Sequence, residues 1–126
     1  MEAATTVRKG QRRPAEVQAK IWIERGGKVV LSDWRAELLR AIEETGSLSG
    51  AALRMDVPYR TAWYKLKEIE TQLGVRLVET HSGGSDGGGS SLTPDGREIL
   101  RRFRRVYRDV ESIVRRRFER EFAGKL

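Results

Sequence analysis

Hydrophobic and polar positions follow two different periods along this chain, and each change of period marks a predicted element. From position 17 to 31 the pattern is that of strands. Apolar residues occupy every second position before Gly26-Gly27, and a second apolar run follows them. Two adjacent glycines favour a tight turn, so this stretch predicts a β-hairpin. Because an isolated hairpin is only marginally stable, we expect it to pack on the domain or on a second chain.

The next stretch has helical spacing and predicts a scaffold helix. Ser32 is suited to cap its start, and Gly46 supplies the left-handed residue at which it ends. Trp34 lies on its apolar side, and Trp63 has similar aliphatic neighbours further along the chain. We therefore expect both tryptophans in the core rather than on the surface.

Residues 47 to 73 predict two helices joined by a tight turn, which is the arrangement of a helix-turn-helix. The first helix is short and is capped by Ser47 or Ser49. Pro58 follows the turn, where its missing backbone donor is tolerated. The second helix begins at about Tyr59 and ends at Gly74.

The second helix of this pair has two chemically different faces. Apolar residues spaced by four, three and four positions form one stripe, namely Ala62, Leu66, Ile69 and Leu73. The opposite face and one flank carry Arg60, Tyr64, Lys67 and Thr71, with Thr61 and Lys65. Cations, hydroxyls and a phenol can hold phosphates and reach base edges in a major groove. An ordinary amphipathic helix would show the same division, and the preceding helix and turn favour the DNA-binding interpretation.

A glycine-rich loop between two short apolar runs follows this helix. The runs, Val75 to Thr80 and Leu92-Thr93, predict strands, and the loop contains no lysine or arginine, so it does not match a P-loop. We interpret the segment as the wing of a winged helix-turn-helix, with a tip whose backbone can approach a sugar-phosphate strand. His81 is the only histidine, which is weak evidence for a metal or a general base.

The last helix begins at Thr93-Pro94 and meets no breaker before about Phe122. At ~1.5 Å per residue it would be on the order of 40 Å long, more than so small a domain can cover. Its apolar residues repeat at coiled-coil spacing, so we expect contact with the same helix of a second copy. The predicted dimerisation residues are Ile99, Phe103, Val106, Tyr107, Val110, Ile113 and Val114. Its many arginines are interpreted as mostly a solvated face.

Composition narrows the class of partner. The chain has 126 residues, with 25 Lys and Arg against 18 Asp and Glu, and a formal charge of +7 favours polyanions. There is no cysteine and no apolar run of membrane-spanning length, so we expect a cytoplasmic protein without membrane contact. The sequence contains no paired nucleophile and base, no metal-ligand spacing and no cofactor loop. We therefore expect neither an enzyme nor a bound cofactor or metal.

These elements predict a mainly α fold with small β content in three parts. Residues 1–16 form a flexible basic tail, 17–93 a winged helix-turn-helix with an N-terminal hairpin and a glycine-rich wing, and 94–126 a long dimerisation helix. The tail has two interpretations, a basic arm that reaches a neighbouring groove or a solubilising terminus, and the second is the simpler. Its cations are Arg8, Lys9, Arg12 and Arg13.

Four segments resemble the LysR-type and ModE-type helix-turn-helix: positions 46–52, 57–63, 73–79 and 92–96. Tyr59-Arg60-Thr61-Ala62-Trp63 and the glycine-rich loop are similar to the N-terminal domain of ModE-type, molybdate-responsive regulators. The resemblance implies a homodimeric, sequence-specific transcriptional regulator, expected to be a repressor, acting on an inverted repeat in double-stranded DNA. The DNA-contacting positions that it implies are Ser49, Pro58, Tyr59, Arg60, Thr61, Tyr64 and Lys65, with Gly83, Gly84, Gly87 and Gly88 in the wing.

This chain departs from the ModE-type pattern in two respects. Such regulators bind an oxyanion in C-terminal domains, and the sequence ends at Leu126 without residues to form them. Pro58 stands where serine is common, which removes a side-chain cap. The resemblance therefore does not extend to direct molybdate binding by this chain, which the sequence leaves open. The chain could act alone, work with a separate effector-binding protein or regulate another process. A non-specific architectural DNA-binding protein and a protein-interaction module that uses the long helix stay open as alternatives.

Overall fold

The structure is a computed structural model that describes residues 13–82 and 88–126. The elements in chain order are β1 (Ile23–Arg25), β2 (Lys28–Leu31), α1 (Asp33–Thr45), α2 (Leu48–Met55), α3 (Tyr59–Leu73), β3 (Val78–His81), β4 (Gly89–Leu92) and α4 (Pro94–Phe122). Each strand pair forms its own antiparallel two-stranded sheet. None of the helices among these residues is long and apolar enough to cross a membrane. The predicted fold class, mainly α with small β in a winged helix-turn-helix, is confirmed.

Most helix boundaries agree with their sequence signals. The Ser32 hydroxyl accepts the amide of Arg35 at the start of α1, and Gly46 is left-handed at its end, with φ 78°. Ser47, rather than Ser49, caps α2 through the amide of Gly50. These ends are predictable because a cap depends only on residues within one turn of it.

The N-terminal hairpin is shorter than predicted. Only Ile23 to Arg25 pair with β2, around a turn in which both glycines have positive φ. The residues before Ile23 form no strand; instead the Ala19 carbonyl accepts a hydrogen bond from the Tyr107 hydroxyl at 3.1 Å. Their alternating pattern therefore reflects packing along α4 rather than pairing with another strand.

The core lies between α1 and the elements that surround it. Leu38, Leu39 and Ile42 of α1 are completely buried. Alanines on α2 and α3 allow these helices to approach α1 closely, while the wing contributes Leu77 and Leu92. At about 1.5–3 kcal/mol for each large apolar side chain removed from water, this cluster supplies most of the stabilisation of the domain.

Two aromatic residues lie where the sequence does not place them. Trp34 packs against the core as predicted, but Trp63 is 40% exposed, so its assignment to the core is wrong. Trp63 follows Ala62 directly and is rotated by about 100° from it around the helix. Phe103, assigned to a dimer contact, is 3% exposed and belongs to the core of its own domain. This assignment is corrected because α4 packs on α1 along its first half.

The other predicted dimerisation residues divide between two sides of α4. Ile99 and Tyr107 are partly buried against the same core as Phe103. Val106 and Ile113 are 50% and 58% exposed, whereas Val110 and Val114 are half-buried. Val106 and Ile113 therefore mark the part of the stripe that the domain itself leaves open.

A buried arginine joins three elements. Arg35 of α1 is 8% exposed, and its guanidinium donates to the Val30 carbonyl at 3.2 Å and to Gln72 Oε1 at 2.6 Å. It also forms an ion pair with Glu68 at 2.9 Å. Since Gln72 and Glu68 belong to α3, this side chain ties β2 and α3 to the scaffold helix.

Replacing Arg35 with methionine should destabilise the domain by roughly 1.5–3 kcal/mol, because the buried carbonyl and the α3 partners lose a charged donor. Urea unfolding measures the change. Arg40→Met is the matched control on the same helix, since its partners Glu37 and Glu44 lie at the surface. The control should cost less than ~1 kcal/mol. Equal losses of unfolding free energy in the two variants would show that the burial of Arg35 does not increase its contribution to stability.

Candidate nucleic-acid interface

The outer face of α3 is open to solvent. Tyr59 and Tyr64 are 54% and 59% exposed, and Arg60 is exposed between them. The remaining predicted DNA-contacting residues of this region are the exposed Ser49, Pro58, Lys65 and Lys67 and the half-buried Thr61. Because Ala62, Leu66 and Ile69 are buried on the other side, the helix cannot rotate to hide this face.

The cations on α3 differ in their surroundings. Lys65 Nζ lies 3.5 Å from Glu68, and Lys67 Nζ lies 3.5 Å from Glu70. Arg60, in contrast, forms no side-chain hydrogen bond or ion pair with any residue in 13–82 or 88–126. Its guanidinium can therefore engage an outside acceptor without first breaking an internal bond.

The start of α3 is itself electropositive. Pro58 occupies the cap position and forms no side-chain hydrogen bond to the first turn, which also contains no acidic residue. The free amides and the helix dipole together favour an anion at this end. The absent serine cap thus leaves backbone donors that a phosphate can satisfy.

The structure describes only one of the four wing glycines predicted to contact DNA. Gly83, Gly84 and Gly87 lie outside the described residues, as do residues 1–12 of the tail. Gly88 is exposed directly before β4, and a Cβ there would collide with the His81 carbonyl. His81 lies on β3, and its Nε2 is 2.8 Å from the Ser91 hydroxyl on β4. This contact joins the two strands of the wing.

Carboxylates that the sequence analysis did not single out hold the wing in place. Glu70 of α3 accepts the amides of Leu77 at 2.8 Å and Val78 at 3.2 Å, at the start of β3. Glu43 of α1 accepts the amide of Leu92 at 3.0 Å, at the end of β4. No sequence signal distinguishes these two from other surface glutamates, because their partners are backbone amides reached only after folding.

A second backbone contact fixes β4 to the end of α1. The amide of Ser90 donates to the Gly46 carbonyl at 2.7 Å. Gly89 must be small here, because a Cβ would lie 2.9 Å from that same oxygen. The wing is thereby positioned beside α3 by the scaffold as well as by α3 itself.

The hydrogen bonds to Glu43 lower the pKa of its carboxyl below the ordinary value of 4.5. The largest effect comes from the backbone amide of Leu92, and the next from Arg97, whose Nε lies 2.8 Å from Oε2. A pKa that is depressed in the folded state stabilises the protein above the unfolded pKa and loses that effect as the pH falls through the folded value.

Glu43→Gln should therefore reduce the free energy of unfolding near pH 7, since it removes the charge that Arg97 and the amide of Leu92 favour. The difference from wild type should shrink as the pH falls below 4.5 and through the lowered pKa of the wild-type carboxyl. Urea unfolding across this range measures the trend. A difference that stays constant with pH would contradict it.

The architecture and this exposed helix define a winged helix-turn-helix of a regulatory type, and the comparisons agree. The model of the bacterial regulatory helix-turn-helix protein, lysR family, matches residues 35–97, half of the chain. The protein therefore belongs to the lysR family of bacterial regulatory helix-turn-helix proteins. That family consists of regulators, not enzymes.

Relatives and a solved structure support the same assignment. The chain is 37% identical over 90 residues to the molybdenum transport protein ModE of Azotobacter vinelandii, covering 71% of this chain and 33% of that protein. It is 35% identical over 85 residues to the transcriptional regulator ModE of Yersinia pestis, covering 68% and 31%. Full-length CbnR, solved in complex with its target DNA, matches with a TM-score of 0.51 at 27% identity, over 68% of this chain and 28% of that one. The chain spans about a third of the length of these curated relatives.

Proposed function

We propose that this protein is a sequence-specific transcriptional regulator that binds double-stranded DNA through α2 and α3. The main observation behind the proposal is the solvent-exposed face around Arg60 and Tyr64. This face points away from the core of the domain. Support also comes from membership in a family of regulatory helix-turn-helix proteins. The protein acts in the cytoplasm and catalyses no reaction.

In this proposal α3 enters the major groove. Arg60 donates to base edges, where a bidentate arginine discriminates guanine from the other bases. The uncapped amides at the start of α3 and the two lysines bind phosphates, which fix the register of the helix on the duplex. The wing, held beside α3 by Glu70, lies along a flanking strand.

The names of the relatives support a link to molybdenum metabolism, because they belong to ModE proteins described as regulators or molybdenum transport proteins. The matched region is about a third of those proteins. A separate effector-binding protein is a proposed partner. Repression stays the predicted direction of regulation. Selection of bound genomic fragments with and without molybdate tests specificity and ligand dependence together.

Arg60→Ala should weaken binding to the selected operator about 10- to 100-fold and binding to random DNA far less, because a base contact is lost. Lys67→Ala is the matched comparison. It should weaken both DNAs similarly and reduce the slope of log K against log salt by about 0.9. Fluorescence anisotropy at several salt concentrations measures both variants. Equal losses of Arg60→Ala on operator and random DNA would refute the base-contacting role, and binding without protected sites would favour the architectural alternative.

We further propose a homodimer joined through α4. The side of α4 that remains open carries Val106 and Ile113, flanked by Val110 and Val114. A two-fold dimer predicts an inverted-repeat operator with half-sites about 34 Å, or a multiple of that distance, apart.

Ile113→Asp should convert the dimer into monomers, because a charge would be buried in the shared apolar stripe. Arg116→Asp is the control, since Arg116 is exposed and bonds only to Ser112 within the described residues. Light scattering over a concentration series measures the mass. If the wild-type protein is a monomer at all concentrations, the homodimer is ruled out. That result would favour the use of α4 to recruit a different protein.

A further inference from the structure

Trp63 is an exposed aromatic residue on α3 that the proposed function does not yet use. We propose that Trp63 contacts the sugar-phosphate backbone of DNA at the junction between α3 and the wing, with its indole N–H donating to a phosphate oxygen. The inference rests on the proposed function and adds a positioning contact to it.

Trp63 lies on the flank of α3 that, further along the helix, is joined to the wing. Glu70 follows it by two helical turns, on the same flank of α3. Glu70 holds the amides of Leu77 and Val78, which begin β3. A duplex strand that passes between α3 and the wing would therefore pass over the exposed part of the Trp63 ring.

The neighbours of Trp63 hold the ring and place a cation over it. Lys67 Nζ lies 5.6 Å from the ring centroid and 3.5 Å from Glu70. The Tyr64 ring packs edge-on at 5.2 Å, with an interplanar angle of 81°. The indole is thus flanked by one residue proposed to bind phosphate and by another on the DNA-facing side of α3.

The donor of this indole is available. Indole N–H can only donate, and Trp22, which is also exposed, donates to Glu24 Oε2 at 2.7 Å. Over the described ranges 13–82 and 88–126, the N–H of Trp63 donates to no protein acceptor. A phosphate oxygen would satisfy the donor, while the ring would cover apolar atoms of the deoxyribose.

A purely structural explanation is a surface cation–π pair between Trp63 and Lys67, which stabilises the fold and has no role in binding. The two explanations differ in one measurable respect. A backbone contact adds the same affinity to operator and random DNA, whereas a surface pair adds none.

Trp63→Phe keeps a ring for Lys67 and removes only the N–H. It should weaken binding to operator and to random DNA by the same factor, about three- to tenfold, as expected for the net contribution of one hydrogen bond of ordinary strength at an exposed site. Trp63→Ala should lose more affinity than Trp63→Phe for both operator and random DNA. Because tryptophan is neutral, the salt slope should stay unchanged in both variants, in contrast to Lys67→Ala.

Trp22→Phe is the matched control, since Trp22 is exposed directly before β1 and already hydrogen-bonded. It should bind both DNAs as wild type does. Urea unfolding of each variant separates loss of folded protein from loss of affinity. A second measurement uses Trp22→Phe/Trp34→Phe, in which Trp63 is the single tryptophan. Acrylamide should quench its fluorescence in the free protein and quench it less in the DNA complex.

The outcomes separate this inference from the proposed function. If Arg60→Ala weakens operator binding but both Trp63 variants bind like Trp22→Phe, and DNA does not shield Trp63 from acrylamide, the Trp63 contact alone is overturned. If wild type shows no preference for any fragment and Arg60→Ala has no effect, the proposed function fails. Parallel losses of the Trp63 variants on both DNAs, together with shielding, support the contact.

Discussion

Burial of Ala62, Leu66 and Ile69 against α1 sets the direction in which the rest of α3 points. A helix turns by about 100° per residue, so once one stripe is held, every other side chain has a defined orientation. Rotating α3 to hide Arg60 would expose two large aliphatic side chains at about 1.5–3 kcal/mol each, a large part of the stability of so small a domain. The exposed cationic face is thus a consequence of core packing.

Polar side chains add further links between the elements that the core packs together. Arg35 ties α3 to α1 and β2, Glu70 ties α3 to β3, and Glu43 ties α1 to β4. Each of them binds backbone or charged groups, where a lost partner is costly. Together they hold α3 and the base of the wing as one unit, as the proposed contact with a groove and its flanking strand requires. The same network joins the wing to Glu70, which lies two turns beyond Trp63 on the same flank of α3.

The long last helix serves two purposes along its length. Phe103 and Tyr107 hold its first half to the domain, and the Tyr107 hydroxyl also fixes the N-terminal segment through Ala19. Val106 and Ile113 lie on a side that the domain leaves open. In the proposed homodimer, α4 would both anchor the domain and set the separation between the two copies of α3.

The sequence by itself determined the features that depend on near neighbours. The caps at Ser32 and Thr93, the ends at Gly46 and Gly74 and the two faces of α3 all follow from residues within a few positions of one another. The tertiary structure alone decided features that depend on packing between separate elements of the chain. These are the burial of Phe103, the exposure of Trp63, the short β1 and the partners of Arg35 and Glu43. Local periodicity cannot locate such contacts, because it states which side of an element is apolar but not what will cover that side.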